Sequence, residues 1–300
     1  MELSDQEKIR YKEILCETMK AFIAFCEKHG LRYYACAGTC LGAIRHRGII
    51  PWDDDIDVLM PRKDYNKFLG LKSSLAGSSY EIVDPSDEGY YLSFAKFVNA
   101  NTTIYEVKEL PFILGIFIDV FPLDEVGAID TAKILAKRRT KSWNRYVSSF
   151  VHFAPSILFD YISRCRFKSA LRYVTNALFG KFYKERLYRN FIAVENEIQN
   201  QRGCKRMVYG GAYGFDKELC DEKWFGEGVS TPFEDISVTV PQEYDTYLKH
   251  IYRDYMTPPP VEQRVSHHNQ YFVDLTRRWT LDEISTLKLG KQEKKKYKYE

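Results

Sequence analysis

Residues 49–60 read IIPWDDDIDVLM and set four aspartates, Asp53, Asp54, Asp55 and Asp57, among strand-forming apolar neighbours. Carboxylates this close repel one another and resist burial, so a fold that packs the segment must neutralise them. Extended backbone sends alternate side chains to opposite faces. Read as a strand, the segment turns Ile56 and Val58 into a core and puts Asp55 and Asp57 on one face, with Asp53 in line. Two carboxylates at that spacing can grip one hard cation through oxygen; Mg²⁺ fits best, with Mn²⁺ as the alternative. A solvated acidic turn accounts poorly for Trp52, Ile56 and Val58. An EF-hand loop counted from Asp53 fails at its sixth position, Val58 rather than Gly, and at its twelfth, Asp64 rather than Glu.

Another acid sits in GIFIDVFPLD, where Asp119 alternates with Ile118 and Val120 on an apolar strand. A lone carboxylate there is costly without a partner. If this strand lies beside the acidic one, Asp119 faces Asp55 and Asp57 and can ligate the same cation or accept a proton from an attacking hydroxyl. Upstream, Gly38-Thr39 is expected to turn the chain into a short helix, the arrangement in which backbone N–H groups cradle a phosphate. Arg45, His46 and Arg47 add positive charge nearby, and Lys96, flanked by Phe94 and Phe97, is a second phosphate candidate. Trp52 either stacks on a ligand or wedges its strand into the core.

The chain is 300 residues long, 45% apolar and 28% charged, enough for one large domain or two ordinary ones. Ser4-Asp5-Gln6-Glu7 has the form of a capping box, and Tyr11, Leu15, Met19, Phe22 and Cys26 make a helical stripe that His29-Gly30 should end. Strands are expected over 31–38, 49–60, 91–98, 102–107 and 113–123, with a turn at Asn99-Ala100-Asn101 and a helix over 64–71. A helical, basic, aromatic stretch follows to about 200. GCKRMVYGGAYG from 203 reads as loop, ISVTVPQEYDTYLKHIY as strand then helix ended by Pro258-Pro259-Pro260, and the lysine-rich tail as solvated. The seven cysteines lack paired CxxC spacing and read as reduced thiols of a cytoplasmic protein. No signal sequence opens the chain and no apolar run reaches the roughly 18–20 residues of a spanning helix.

AGTCLGAIRHRGIIPWDDDIDVLMPRKDY closely resembles the signature of the LicD family, relatives of fukutin and the fukutin-related protein. The likeness continues through GIFIDVFPLDEV and resumes in FGEGVSTPFEDISVTVPQEYDTYLKHIYRDYMTPPPVEQRVSHH. Two departures are visible: Cys40 in place of Leu, and Arg253 in place of Gly. The resemblance implies an α/β (α+β) fold, a nucleotidyltransferase-like mixed sheet flanked by helices. It places the family's Gly-[Gly/Ser/Thr] turn on Gly38-Thr39, its D-h-D strand on Asp55 and Asp57, and its third acid on Asp119. It also implies transfer of a phospho-alcohol, phosphocholine or ribitol phosphate, from a CDP-linked donor to a sugar hydroxyl, with CMP leaving. Arg264, His267 and His268 close the last matching segment, and the histidines are candidate contacts to donor phosphate or base.

The expected organisation is a catalytic core over 1–130, a helical basic insertion over 131–202, a part completing the core over 203–285, and the tail 286–300. Between 131 and 190 there are 14 Lys/Arg against two acids, a surplus of 12 in a chain whose net charge is only +3, so the remainder carries −9. Basic residues flanking apolar runs such as FVHFAPSILFDYI suit a peripheral contact with an anionic membrane, at the inner face, where a glycan or lipid-linked glycan acceptor would be presented. The bland alternative is a helical insertion whose charges face water. The main rival function is a glycosyltransferase using Asp53-Asp54-Asp55 or Asp55-Ile56-Asp57 as a D-x-D motif; a lectin-like or membrane-binding module has no need of converging acids. Nucleic acid is excluded as a partner, because the basic block carries no recognisable motif and an acidic site repels phosphates.

Overall fold

The structure is a computed structural model that describes residues 4–107, 110–150, 155–264 and 271–287. Helix α1 (Asp5–His29) opens with the expected capping box, Ser4 and Glu7 satisfying each other's backbone N–H groups, and ends at Gly30 in the left-handed conformation. Its apolar stripe lies on the central sheet: Leu15, Met19 and Phe22 are fully buried, and the Phe22 ring meets Tyr33, Phe68 and Phe97 edge-on.

The sheet is built from β1 (Tyr34–Ala35), β2 (Asp57–Pro61), β3 (Tyr80–Val83), β4 (Ala95–Asn99) and β6 (Phe117–Val126), in the order β1-β2-β6-β4-β3. β2 and β6 run parallel; the other neighbours are antiparallel. Such a mixed sheet, covered by helices, is the expected α+β architecture. Helix α2 (Ala37–Arg45) leads from β1 towards β2, and α3 (Arg62–Gly70) follows β2. β5 (Thr103–Tyr105) leaves the sheet to pair with β11 (Phe272–Asp274). The far end of β6 is extended by β7 (Lys205–Met207) and β8 (Cys220–Asp221), while β9 (Val229–Phe233) and β10 (Ile236–Val240) form a hairpin.

Several expected boundaries move. The strand expected over 31–38 shrinks to two residues because α2 already begins at Ala37, whose φ of 45° makes the turn that Gly38-Thr39 was expected to make. The strand expected over 49–60 begins only at Asp57; residues 53–56 approach it as irregular chain. β3 was not anticipated, and the loop expected from 203 contains β7. Helix α8 (Tyr244–Tyr252) stops before the prolines, at Arg253 with φ 62°. The lysine-rich residues from 288 onward lie outside the described residues.

Helices α4 (Ile129–Val147), α5 (Pro155–Ser163) and α6 (Phe167–Gln199) form the basic block, as expected. Val126, Ala132, Leu135, Val194, Ile198, Met207 and Tyr209 make a second, smaller core beside the main one. Ion pairs tie the two together: Arg62 grips buried Asp124 with two bonds of 2.6 Å and reaches Glu195 on α6 at 3.4 Å, while Arg139 on α4 pairs with the same Glu195. Short helices α7 (Phe215–Glu218) and α9 (Leu281–Thr286) complete the described chain. The seven cysteines are free, and four of them, Cys26, Cys36, Cys40 and Cys220, are buried.

Candidate active site

Register decides the site. Asp57 on β2 is the cross-strand partner of Asp119 on β6, and Asp119 is the partner of Lys96 on β4. Paired residues share a face of the sheet, so a row of acid, acid and lysine crosses the three strands. Asp55 joins from the irregular chain before β2: one carboxylate oxygen each of Asp55, Asp57 and Asp119 lies within 4.8 Å of the others. Asp53, Asp54 and Asp55 form a second such group. Both offer carboxylate oxygens alone, the donor set that suits a hard divalent cation. Asp55, Asp57 and Asp119 could hold one such ion from the sheet side, Asp53 and Asp54 from the loop side.

The electrostatics match crowded acids. Burial, then Asp55, Asp119 and Asp53, push the Asp57 carboxyl well above the usual carboxylate range, against the pull of Lys96. Burial pushes Asp119 up to about 6, while Lys96 holds it down. The Lys96 ammonium bonds to Asp119 and sits 3.1 Å from the centre of the Phe117 ring. Lys96 is therefore a buried partner of Asp119 rather than the exposed lysine or open phosphate contact the sequence allowed; its exposure is 1%. Pairing a buried lysine with one of the acids fixes that carboxylate's position.

Local structure explains the loop. Thr39 Oγ1 accepts the Asp57 N–H at 2.8 Å, so its side chain binds the acidic strand. A Cβ at Gly38 would lie 2.5 Å from Asp53 Oδ2; glycine lets that carboxylate pack on the first turn of α2, where the helix N-terminus favours an anion. The Tyr11 hydroxyl donates to Asp54 O at 3.1 Å, so α1 braces the loop from the other side. The structure does not bring Arg45 to the turn: it stands at the opposite end of α2, donating to Tyr255 O at 2.6 Å. Half-buried Trp52 packs on the main core, takes the Arg264 guanidinium at 4.9 Å from its ring centre, and meets His46 edge-on. His267 and His268 lie outside the described residues.

Several further neighbours stand here that no sequence pattern could single out. Glu106, just past β5, is bonded by the Tyr91 hydroxyl and raises the Asp119 carboxyl further. Tyr213 and Tyr252 share a hydroxyl contact, their rings 5.7 Å apart, and Asp57 acts on both hydroxyls. Tyr213 stood among many tyrosines with nothing to single it out.

Comparison with known proteins places the chain among related sequences. Residues 30–161 match the family model described as LicD/FKTN/FKRP, nucleotidyltransferase domain. The chain is 28% identical over 276 residues to the lipopolysaccharide cholinephosphotransferase LicD of Haemophilus influenzae, aligning 87% of this chain with 96% of that protein. It is 39% identical over 64 residues to the human ribitol 5-phosphate transferase FKRP, 21% of this chain and 13% of that protein. An uncharacterized protein of Rickettsia typhi is 34% identical over 86 residues, 27% of this chain and 28% of that protein.

Proposed function

We propose, from the premise that residues 30–161 are a LicD-family nucleotidyltransferase domain, that this phosphotransferase moves a phospho-alcohol from a CDP-linked donor to a sugar hydroxyl. The observation that carries the reading is the meeting of Asp55, Asp57 and Asp119 within 4.8 Å. Phosphoryl transfer asks the protein for positioning and charge neutralisation more than for covalent chemistry. A divalent ion held by these acids would neutralise the donor's diphosphate. Asp55 and Asp57 would hold that ion against the diphosphate; Asp119, which bonds to Lys96, would take the proton of the acceptor hydroxyl. The acceptor oxygen bonds to the distal phosphorus as the bond to CMP breaks. Tyr213 and Tyr252, whose hydroxyls feel Asp57, offer aromatic faces to a quaternary ammonium if the alcohol is choline.

The acceptor is a glycan or its lipid-linked precursor, met at a membrane's inner face. Exposed Phe159, Phe167, Leu171 and Phe182 on α5 and α6 support peripheral contact, and among the described residues no helix is long and apolar enough to cross a membrane.

Purified protein offered CDP-choline, CDP-ribitol and CDP-glycerol with Mg²⁺ should release CMP from one in preference. Asp57→Asn should lower that rate by about 10²-fold or more with its circular dichroism unchanged. A variant that kept near-normal turnover would remove the acids from the mechanism. An acceptor gaining a hexose mass, rather than a phospho-alcohol, would favour the D-x-D glycosyltransferase instead.

A further inference from the structure

Helix α4 carries Lys133, Lys137, Lys141 and Arg145 at a spacing of four, which puts them on one face. Like charges at that spacing destabilise a helix unless something anionic meets them. None of the four has an ion-pair partner among the described residues, whereas their neighbours do: Arg138 pairs with Glu197 and Arg139 with Glu195. The unpaired face lines a cavity of about 970 Å³, with Arg172 of α6 on its wall. Thr140 and Asn144 add neutral donors between the cations.

The opposite wall is the glycine-rich segment Gly210–Gly214 and the start of α7. Gly210 and Gly214 hold φ values of 87° and 84°, and Glu218 accepts the Tyr213 N–H at 3.1 Å, which fixes the turn. Arg139 bonds to Tyr209 O, so the segment is anchored to α4 just before it begins. Tyr213 projects from this same segment to Tyr252 and to within electrostatic reach of Asp57. One short loop thus separates the acidic centre from the basic cavity. Two acids, Asp216 and Glu218, sit on the loop side against five cations.

We propose that this cavity is the subsite for a phosphate or diphosphate group borne by the acceptor, so that the acceptor is an anionic, phosphate-linked glycan rather than a neutral one. This rests on the transferase reading above, which assigns the donor's diphosphate to the acids and leaves the cations beyond the loop for the other substrate. A cavity of this volume takes a small ligand or the head of a larger one. Ammonium and guanidinium groups on a concave wall suit multidentate phosphate, and their exposure keeps the site open to it. Contact with a bilayer would instead favour a convex face, and the exposed apolar residues that suit one project from α5 and α6.

The test is calorimetric titration of the full chain with inorganic pyrophosphate in EDTA, so that no cation bridges the ligand to the aspartates. The wild type should bind. Lys137→Gln with Lys141→Gln should weaken binding by about tenfold or more, and Lys137→Arg with Lys141→Arg should retain it. Asp57→Asn should bind pyrophosphate as the wild type does, which separates this subsite from the catalytic centre; CMP release by the wild type tests the donor reading on its own. Equal affinity in the wild type and the glutamine variant would overturn the proposal. So would unchanged pyrophosphate affinity together with lost sedimentation on phosphatidylglycerol vesicles, since the stripe would then be a membrane face.

Discussion

Burial raises the carboxyls of both Asp57 and Asp119; Asp55 adds to the rise at each, and Lys96 opposes it at each. Asp119, raised from an ordinary 3.8 to about 6, contributes a destabilising charge that is absent below pH 4 or so and complete above about pH 6. Ligation requires the deprotonated form, so protons would compete with the proposed cation. The rise in Tm on adding Mg²⁺ should therefore be small at about pH 5 and grow towards about pH 8; a constant or shrinking rise by scanning calorimetry would take these acids out of the ligand set. Arg253 offers a second residue-scale prediction. It holds φ 62° and ψ −108°, a conformation open to glycine and strained for a side chain, at the position where the family resemblance anticipates Gly. Arg253→Gly should stabilise the protein by about 1 kcal/mol in chemical denaturation. At this scale the sequence was most informative where residue type and spacing coincide with chemistry, as at Asp55, Asp57 and Asp119. It singled out Lys96 but gave it the wrong partner, a phosphate, because only the register of β4 against β6 makes that lysine the partner of Asp119.

At the scale of elements, periodic signals survived into the structure and irregular ones shifted. The α1 stripe and capping box were legible end to end because both are local. The approach to β2 was not: four aspartates with strand-like neighbours read as strand, but residues 53–56 are irregular, with the Tyr11 hydroxyl of α1 on Asp54 O and Thr39 of α2 on the N–H of Asp57 where β2 begins. Helix α6 contains Gly180, which ordinarily weakens a helix interior by about 1 kcal/mol relative to alanine. Here a Cβ would lie 2.2 Å from Ser149 O, so glycine allows the chain after α4 to pass against α6. Gly180→Ala should accordingly destabilise, by about 1–3 kcal/mol, where helix propensity alone forecasts a gain; urea unfolding distinguishes the two signs.

For the whole molecule, one buried cation fastens the basic helices to the sheet. Arg139 is 3% exposed and donates to Ser93 O, Tyr209 O and Glu195, joining α4 to the chain before β4, the chain after β7, and α6. Arg139→Met should lower stability by about 3–5 kcal/mol, because the two carbonyls lose their donor and Glu195 keeps only the longer contact to Arg62. A loss below about 1 kcal/mol in guanidinium unfolding would mean that apolar packing alone holds the helices in place. No local pattern announced this residue; it lies in a run of three basic side chains, and only the tertiary arrangement sorts the buried one from its exposed neighbours.

The parallel pairing of β2 with β6 brings together carboxylates separated along the chain by everything from residue 58 to residue 118. Closing so long a loop delays the contact during folding. The proposed cation site is therefore assembled only once β6 has docked, and metal uptake in a refolding experiment should report completion of the central sheet rather than its first collapse.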